Sequence, residues 1–327
     1  METAVRDLAA HLTRYYGVSG EIDYIPRRRA HNYRVTSDGN CWLFKIFQAE
    51  YGIDAVLRAA RFVQFAARSG FPVEDFRGSL SGAAVVPFGS RAAVLIPWID
   101  GSTPEPNSLS SPSALAQIGN LCGKIHVLGA RWPEGRDLRP DGTNRRLAEK
   151  RESLNRLALD PDTAPEVADE AAVRIGILDA LGADLERTQA GLSTGIIHGD
   201  FAAAHVVFSG DKAIGVIDVM GNCYFPEWEL MRAFFQSVPC GNSAPEDLEP
   251  LWSAYLDGYQ AERRVNAGQV SCAYDAYLYQ LTSSTYGLRL PHDCSLRAFG
   301  RWRTDLSTYL AANRGSLREL MASHAVG

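Results

Sequence analysis

Apolar residues recur along the first hundred positions with two different periods. Over residues 3–15, Val5, Leu8, Ala9 and Leu12 share one face at helical spacing, which predicts an amphipathic helix. The period then changes. EIDYIP (21–26), HNYRVTS (31–37) and CWLFKIF (41–47) read as three strands. SDGN joins the last two, and Asp-Gly suits the tight turn of a hairpin. IDAVLRAARFVQFAAR (53–68) returns to helical spacing and ends near Gly70 and Pro72. GAAVVPFG and RAAVLIPWID form another hairpin around Gly89 and Ser90. The expectation is a mostly antiparallel sheet with one inserted helix.

The stretch DGSTPEPNSLSSPS is rich in Pro and Ser and reads as a hinge or linker. Beyond it the pattern is helical. Leu115, Ile118, Leu121, Cys122, Ile125 and Leu128 take core-facing positions, RWPEGRDLRPDGTN reads as a loop, and residues 165–190 and 226–323 read as helices. This predicts an α+β chain in two parts, residues 1–100 and 102–327, with no internal repeat.

Composition narrows the function. The chain has 327 residues, a net charge of -5 and 46% hydrophobic content. Nucleic-acid binding is not expected, because phosphate contacts need clustered Lys and Arg and the one basic run, PRRRAH, is short. Six scattered cysteines, Cys41, Cys122, Cys223, Cys240, Cys272 and Cys294, include no C-x-x-C pair and read as thiols of a reducing compartment rather than a zinc site. The N-terminus lacks the apolar block of a signal peptide, and no run of about 18 apolar residues predicts a membrane span. A cytoplasmic protein, monomeric or homodimeric, acting on a small molecule is expected.

The chemistry concentrates in IIHGDFAAAHVVFSGDKAIGVID, Ile196 to Asp218. Asp200 follows the apolar pair Ile196-Ile197, and Asp218 ends a second apolar run. The hairpin between them brings the two carboxylates together. Lys45 sits mid-strand among apolar residues, where an unpaired ammonium is costly. One carboxylate to orient a hydroxyl, another to hold a metal and a lysine for phosphates are the parts that phosphoryl transfer needs. Magnesium keeps several waters, so one or two carboxylates suffice.

HGD, four further residues, a ligand-position residue and then VID resembles the motif of the aminoglycoside phosphotransferase and choline kinase superfamily. YYGVSGEIDYIPRRRAHNYRVTSDGNCWLFKIF is similar to the N-terminal lobe of its homoserine kinase and hydroxylysine kinase branch. The resemblance covers about residues 16–310. It implies a protein kinase-like bilobal fold, with a nucleotide-binding lobe, a hinge near 97–101 and a mainly helical lobe carrying the acceptor site. It also implies ATP, with GTP not excluded, and magnesium. Asp200 matches the catalytic base, Asp218 the magnesium ligand, Lys45 the phosphate lysine and His198 a structural partner of the loop. Pro97, Trp98 and Ile99 match the adenine hinge, where Trp98 reads equally as packing.

Three departures stand out. Most of the family has Asn where this chain has His205, although macrolide phosphotransferases are similar to it in having His; His205 is taken as a second metal position. The family's acidic partner of Lys45 lies within the helix after it, but here the acids are Asp54 at the helix start and Glu50 before it, and Asp54 is preferred. The covering loop lacks glycines, so Arg28, with Arg27, Arg29 and Asn32, is considered for the phosphates. For the acceptor, Asn222, Tyr224 and Glu227 are candidates, while Glu229 reads as an anchor of its helix. An antibiotic or related natural product is placed first as acceptor and an amino alcohol such as homoserine or hydroxylysine second. A non-catalytic nucleotide-binding module is the alternative from another class.

Overall fold

Strand alternation decides what covers what. The computed structural model describes residues 2–26, 30–140, 143–182, 185–241, 243–288 and 294–325. Arg27, Arg28 and Arg29, and the side chains of Val5 and Cys294, lie outside the described residues. The chain divides into two compact units, one of residues 1–103 with 198–200 and 205–222, the other of residues 104–197, 201–204 and 223–327.

In the first unit, α1 (Glu2–Tyr16) precedes β1 (Glu21–Ile25), β2 (Ala30–Ser37) and β3 (Asn40–Phe47). Then come α2 (Ile53–Arg68), β4 (Val86–Phe88) and β5 (Arg91–Pro97). The strands form one antiparallel sheet in the order β1-β2-β3-β5-β4. Asp38 and Gly39, both with positive φ, make the expected tight turn between β2 and β3. Successive side chains of a strand face opposite ways. Phe44 and Ile46 of β3 therefore pack with Leu8, Leu12 and Tyr16 of α1, while Leu43 and Phe47 pack with Val56 and Ala60 of α2. Lys45 shares the parity of the α2 face. The hairpin of β7 (Val206–Ser209) and β8 (Lys212–Val216) completes this unit, tied to residue 102 by a bridge between Ser102 and Phe208.

The second unit is helical. It holds α3 (Pro112–Arg131), α4 (Thr143–Leu159), α5 (Pro165–Leu181), α6 (Leu185–Ala190) and the short β6 (Gly195–Ile197). β9 (Asn222–Tyr224) leads into α7 (Pro226–Phe235), α8 (Glu249–Gln260), α9 (Ala267–Ser283), α10 (Cys294–Ala312) and α11 (Arg314–Ser323). Two expectations change. The helix read over 165–190 is broken at Gly182, whose φ of 72° suits a residue without a side chain. The loop read over 131–144 contains a helical turn, Pro133–Gly135. Among the described residues no helix is long and apolar enough to cross a membrane.

The backbones of α3 and α8 pass in contact at two glycines. A Cβ on Gly119 would lie 1.9 Å from the Tyr255 carbonyl oxygen, and one on Gly258 would lie 2.0 Å from that of Ala116. Both obstacles are backbone, so neither can rotate away. Gly119→Ala and Gly258→Ala should each cost about 3 kcal/mol, because overpacking a helix contact outweighs the small gain in helix propensity. Urea unfolding measures this; unchanged midpoints for both variants would contradict the packing described.

Candidate active site

Lys45 is placed by its strand. Its register partners are Asn32 on β2 and Val94 on β5, so its side chain rises between theirs on the α2 face. Lys45 is 8% exposed. Its ammonium donates to Asp218 Oδ1 as an ion pair. Asn32 is also buried, and its Oδ1 has no hydrogen-bond partner among the described residues.

The loop 198–205 and the end of β8 are laced by their backbones. Ile217 N–H donates to His205 O at 2.9 Å, and Met220 N–H donates to His198 O at 2.8 Å. The His198 ring fixes the loop from inside. Its Nδ1 accepts from the Asp200 amide at 3.2 Å, which leaves the proton on Nε2 facing Ile217 O at 2.9 Å. Gly199, at φ 97°, takes a conformation that residues with a side chain disfavour, and a Cβ there would press on the Asn222 amide at 2.5 Å. Asp218 itself has a φ of 63°, unusual for a residue with a side chain, and such strain persists where the surroundings hold it.

These elements bring Lys45, Asp200, His205 and Asp218 together. His205 Nε2 stands 3.7 Å from Asp200 Oδ2 and 4.0 Å from Asp218 Oδ2, while His205 Nδ1 is buried without a hydrogen-bond partner among the described residues. Burial is the largest influence on Asp218 and pushes its carboxyl up, but Lys45, then His205, outweigh it and hold the group well below the usual carboxylate range. Burial likewise pulls the Lys45 ammonium down, and the charge and hydrogen bond of Asp218, with help from Glu74, leave it above its ordinary value. Asp200 and Asp218 both offer oxygen toward His205, so the donor set fits a hard divalent ion. Among the described residues no group of three or more His, Cys, Asp or Glu makes a ready cage. Magnesium takes one or two carboxylates and completes its shell with water and phosphate oxygens.

The remaining expected residues divide. Asp54 is exposed in the first turn of α2, Glu50 is exposed before it, and the ion pair of Lys45 goes to Asp218 instead. A carboxylate at a helix start is favoured by the helix dipole, which accounts for Asp54 there. Arg28 lies outside the described residues. Pro97 has no N–H, and Trp98 N–H donates to Cys41 O at 3.0 Å. The Trp98 ring carries Arg34 at 5.0 Å, and Ile99 packs on Gly215 of β8. Asn222 is exposed beside Gly199. Tyr224 is half-buried against Phe225 and Trp228, and burial pushes its hydroxyl up to about 12.

Glu227, expected to face an acceptor, is buried and held inside its own unit. It accepts from Ser193 N at 3.1 Å, Arg263 Nη2 at 2.8 Å and Gln269 Nε2 at 3.3 Å, and also from the Ser193 hydroxyl. Glu229 is buried as an anchor, bonded to His126 Nε2 at 3.0 Å. His126 Nδ1 in turn meets the Tyr259 hydroxyl at 3.0 Å. Glu229 also accepts from the amide of Phe201 at 3.5 Å, and Arg232 donates to Phe201 O at 2.7 Å, so the residue after Asp200 is held on both sides. Sequence reasoning missed Glu74. It follows α2 in FPVEDF, and burial first, then the Asp218 carboxylate, push its pKa up. Its signal is an acid in a partly apolar stretch just past the helix where the family's acidic partner is expected.

The sequence pattern of the phosphotransferase enzyme family matches residues 25–265. A homoserine kinase of Zymomonas mobilis subsp. mobilis is 26% identical over 234 residues, covering 70% of this chain and 67% of that protein. The structure of a microcompartment-associated aminopropanol kinase superposes with a TM-score of 0.72 at 18% identity, covering 97% of this chain and 99% of that one. Spectinomycin phosphotransferase APH(9)-Ia, solved with ADP and spectinomycin, gives a TM-score of 0.67 at 16% identity and covers 98% of each chain. These two structures establish the kinase-like α+β fold.

The support beneath the loop has a pH signature. Burial is the largest influence on His126 and lowers its pKa, against the hydrogen bond to Glu229. The unfolded chain therefore takes up a proton near pH 6.5 that the folded protein refuses. This part of the stability is present above about pH 6.5 and is lost as pH falls, at up to about 1.4 kcal/mol per pH unit. His126→Gln should be less stable than the parent near neutral pH, with the gap closing between about pH 7.5 and 5.5. Urea midpoints at several pH values measure it; a gap independent of pH would contradict the assignment.

Proposed function

This chain belongs to the phosphotransferase enzyme family, and from that premise we propose that it is an ATP- and magnesium-dependent O-kinase for a small amino alcohol. Phosphoryl transfer to a hydroxyl of a small molecule is the activity of its family. The observation that carries the reading is the convergence of Lys45, Asp200, His205 and Asp218 from β3, the loop after β6 and the end of β8.

Each group has a task suited to its place. Asp200, half-exposed and fixed through its amide by His198, orients the acceptor hydroxyl and takes its proton. Lys45, fixed on its strand, holds phosphate oxygens, and Asn32 beside it offers a second polar contact. Pro97, Trp98 and Ile99 present backbone groups to the base. Asp218 and His205 would hold magnesium, which when bound neutralises phosphate charge. Residues 1–100 would then form the nucleotide-binding lobe, and residues 102–327 would carry the catalytic loop and the acceptor site.

The acceptor class is supported by the likeness to a homoserine kinase over 70% of the chain and by the fold shared with an aminopropanol kinase. It is supported also by the engagement of Glu227 and Glu229 in internal bonds, which withdraws both acids from any polycationic aminoglycoside. A natural-product acceptor is the second reading, favoured by the fold shared with spectinomycin phosphotransferase.

A panel of homoserine, hydroxylysine, aminopropanol, spectinomycin and a macrolide, with ATP and magnesium, should show ADP release and a phosphorylated product for an amino alcohol. Product formed only on the antibiotics would replace the first reading with the second. With the active acceptor, Asp200→Asn should lower kcat about a thousandfold, because an amide cannot take the hydroxyl proton. Near-normal turnover of Asp200→Asn would remove Asp200 from the role of base.

A further inference from the structure

The N-terminal end of α7 is short of acceptors. Phe225, Pro226, Glu227 and Trp228 are all buried there. Pro226 opens the helix and has no N–H, and Phe225, at the capping position, offers no side-chain oxygen. The amides of Glu227 and Trp228 donate to nothing among the described residues, and the first bond of the helix runs from Glu229 N–H to Phe225 O at 3.2 Å. The indole Nε1 of Trp228, a residue only 6% exposed, is likewise buried without a hydrogen-bond partner among the described residues. Donors removed from water in this way call for a partner from outside the chain.

The surroundings decide which partner fits. Trp228 leans back over the chain that enters the helix, where its ring meets the Tyr224 ring edge-on at 4.9 Å. Its N–H and the two amides therefore belong to the same end of α7. The two acids of the first turn do not answer them. Both oxygens of Glu227 are taken by Ser193, Arg263 and Gln269, and those of Glu229 by His126 and the Phe201 amide. Only donors remain, at the positive end of a helix of 10 residues, and that favours a small anion. Cys223 and Tyr224 are only half-buried, so this end is approached from β9. β9 pairs with β6, whose chain runs on into the loop of Asp200.

We propose that the N-terminal end of α7, with Trp228 Nε1 as its side-chain donor, holds the carboxylate of the acceptor. The acceptor is then an amino acid with a side-chain hydroxyl and not a simple amino alcohol. The inference rests on the amino-alcohol reading given above and narrows it. The carboxylate takes no part in the transfer, so its bonds are the same before and during the reaction, and Trp228 acts on KM rather than kcat.

The test compares acceptors that differ by that carboxylate alone: homoserine with its decarboxylated amine, aminopropanol, and hydroxylysine with its own decarboxylated amine. Each is assayed with ATP and magnesium on the parent and on Trp228→Phe, both checked for folding by circular dichroism. The parent should favour the amino acid of a pair in kcat/KM by at least about a hundredfold. Trp228→Phe keeps a ring and removes the N–H. It should raise KM for the amino acid roughly tenfold, and KM for the decarboxylated amine less than about threefold. Trp228→Leu replaces it, with the same expectation, should Trp228→Phe not fold. A parent that turns over both members of a pair equally well would overturn the proposal, whatever the variants do. Equal losses on both members in Trp228→Phe would overturn it too, because the indole would then be a packing group. So would no loss on either, because ordered water alone would then serve the end of α7. A parent that phosphorylates none of these compounds would bring down the amino-alcohol reading and this inference with it, whereas turnover without preference for the carboxylate brings down the inference alone.

Discussion

A buried ammonium must have a counter-charge, and the ion pair of Lys45 with Asp218 is the constraint around which the first unit is built. Strand parity puts Lys45 on the same face as Leu43 and Phe47, where it is almost fully removed from water. The partner has to come from elsewhere in the sequence, 173 residues away. The β7–β8 hairpin delivers it. The positive φ of Asp218 and the backbone bonds of Ile217 and Met220 to the 198–205 loop hold it in place. Asp200 and His205 are carried into the same cluster because they sit on the loop to which Asp218 is laced. One electrostatic requirement thus organises both sides of the site.

Two histidine-centred arrangements do different work in this molecule. His198, with one nitrogen on the Asp200 amide and the other on Ile217 O, fixes the loop by hydrogen bonds to backbone. His126 and Glu229 form a buried pair in the helical unit, and Glu229 and Arg232 hold the two polar backbone groups of Phe201. The residues on either side of Asp200 are therefore fixed by separate networks, while its carboxylate remains about half exposed. The proposed role needs an accessible carboxylate on a still backbone, and Asp200 combines the two.

Much of this architecture is legible in the amino-acid sequence. The turn at Asp38 and Gly39 and the extent of α2 follow from local rules, because turn chemistry and helical spacing act over a few residues. The grouping of Asp200, Asp218 and Lys45 is foreshadowed by two carboxylates at that spacing and a lysine among apolar strand residues. Their partners are not. Glu227 reads as an acceptor contact until Arg263 and Gln269 are folded against it. Glu74 shows in the sequence only as an acid just past α2, and its place beside the end of β8 comes from a strand more than a hundred residues later. His126 is one of several polar residues in an apolar helix, and nothing local says that it will meet Glu229. Local pattern sets the elements; long-range pairing sets which charges matter.

The central claim, that this cluster receives the phosphates of a magnesium-bound nucleotide, is tested most directly by calorimetry of ATP and adenosine, with and without magnesium. The account predicts that the parent protein binds ATP more tightly than adenosine and that magnesium strengthens only the former. It predicts that Lys45→Met loses most of the preference for ATP, and that Asp218→Ala loses the effect of magnesium. Equal affinities of the parent and both variants for magnesium-ATP would contradict it.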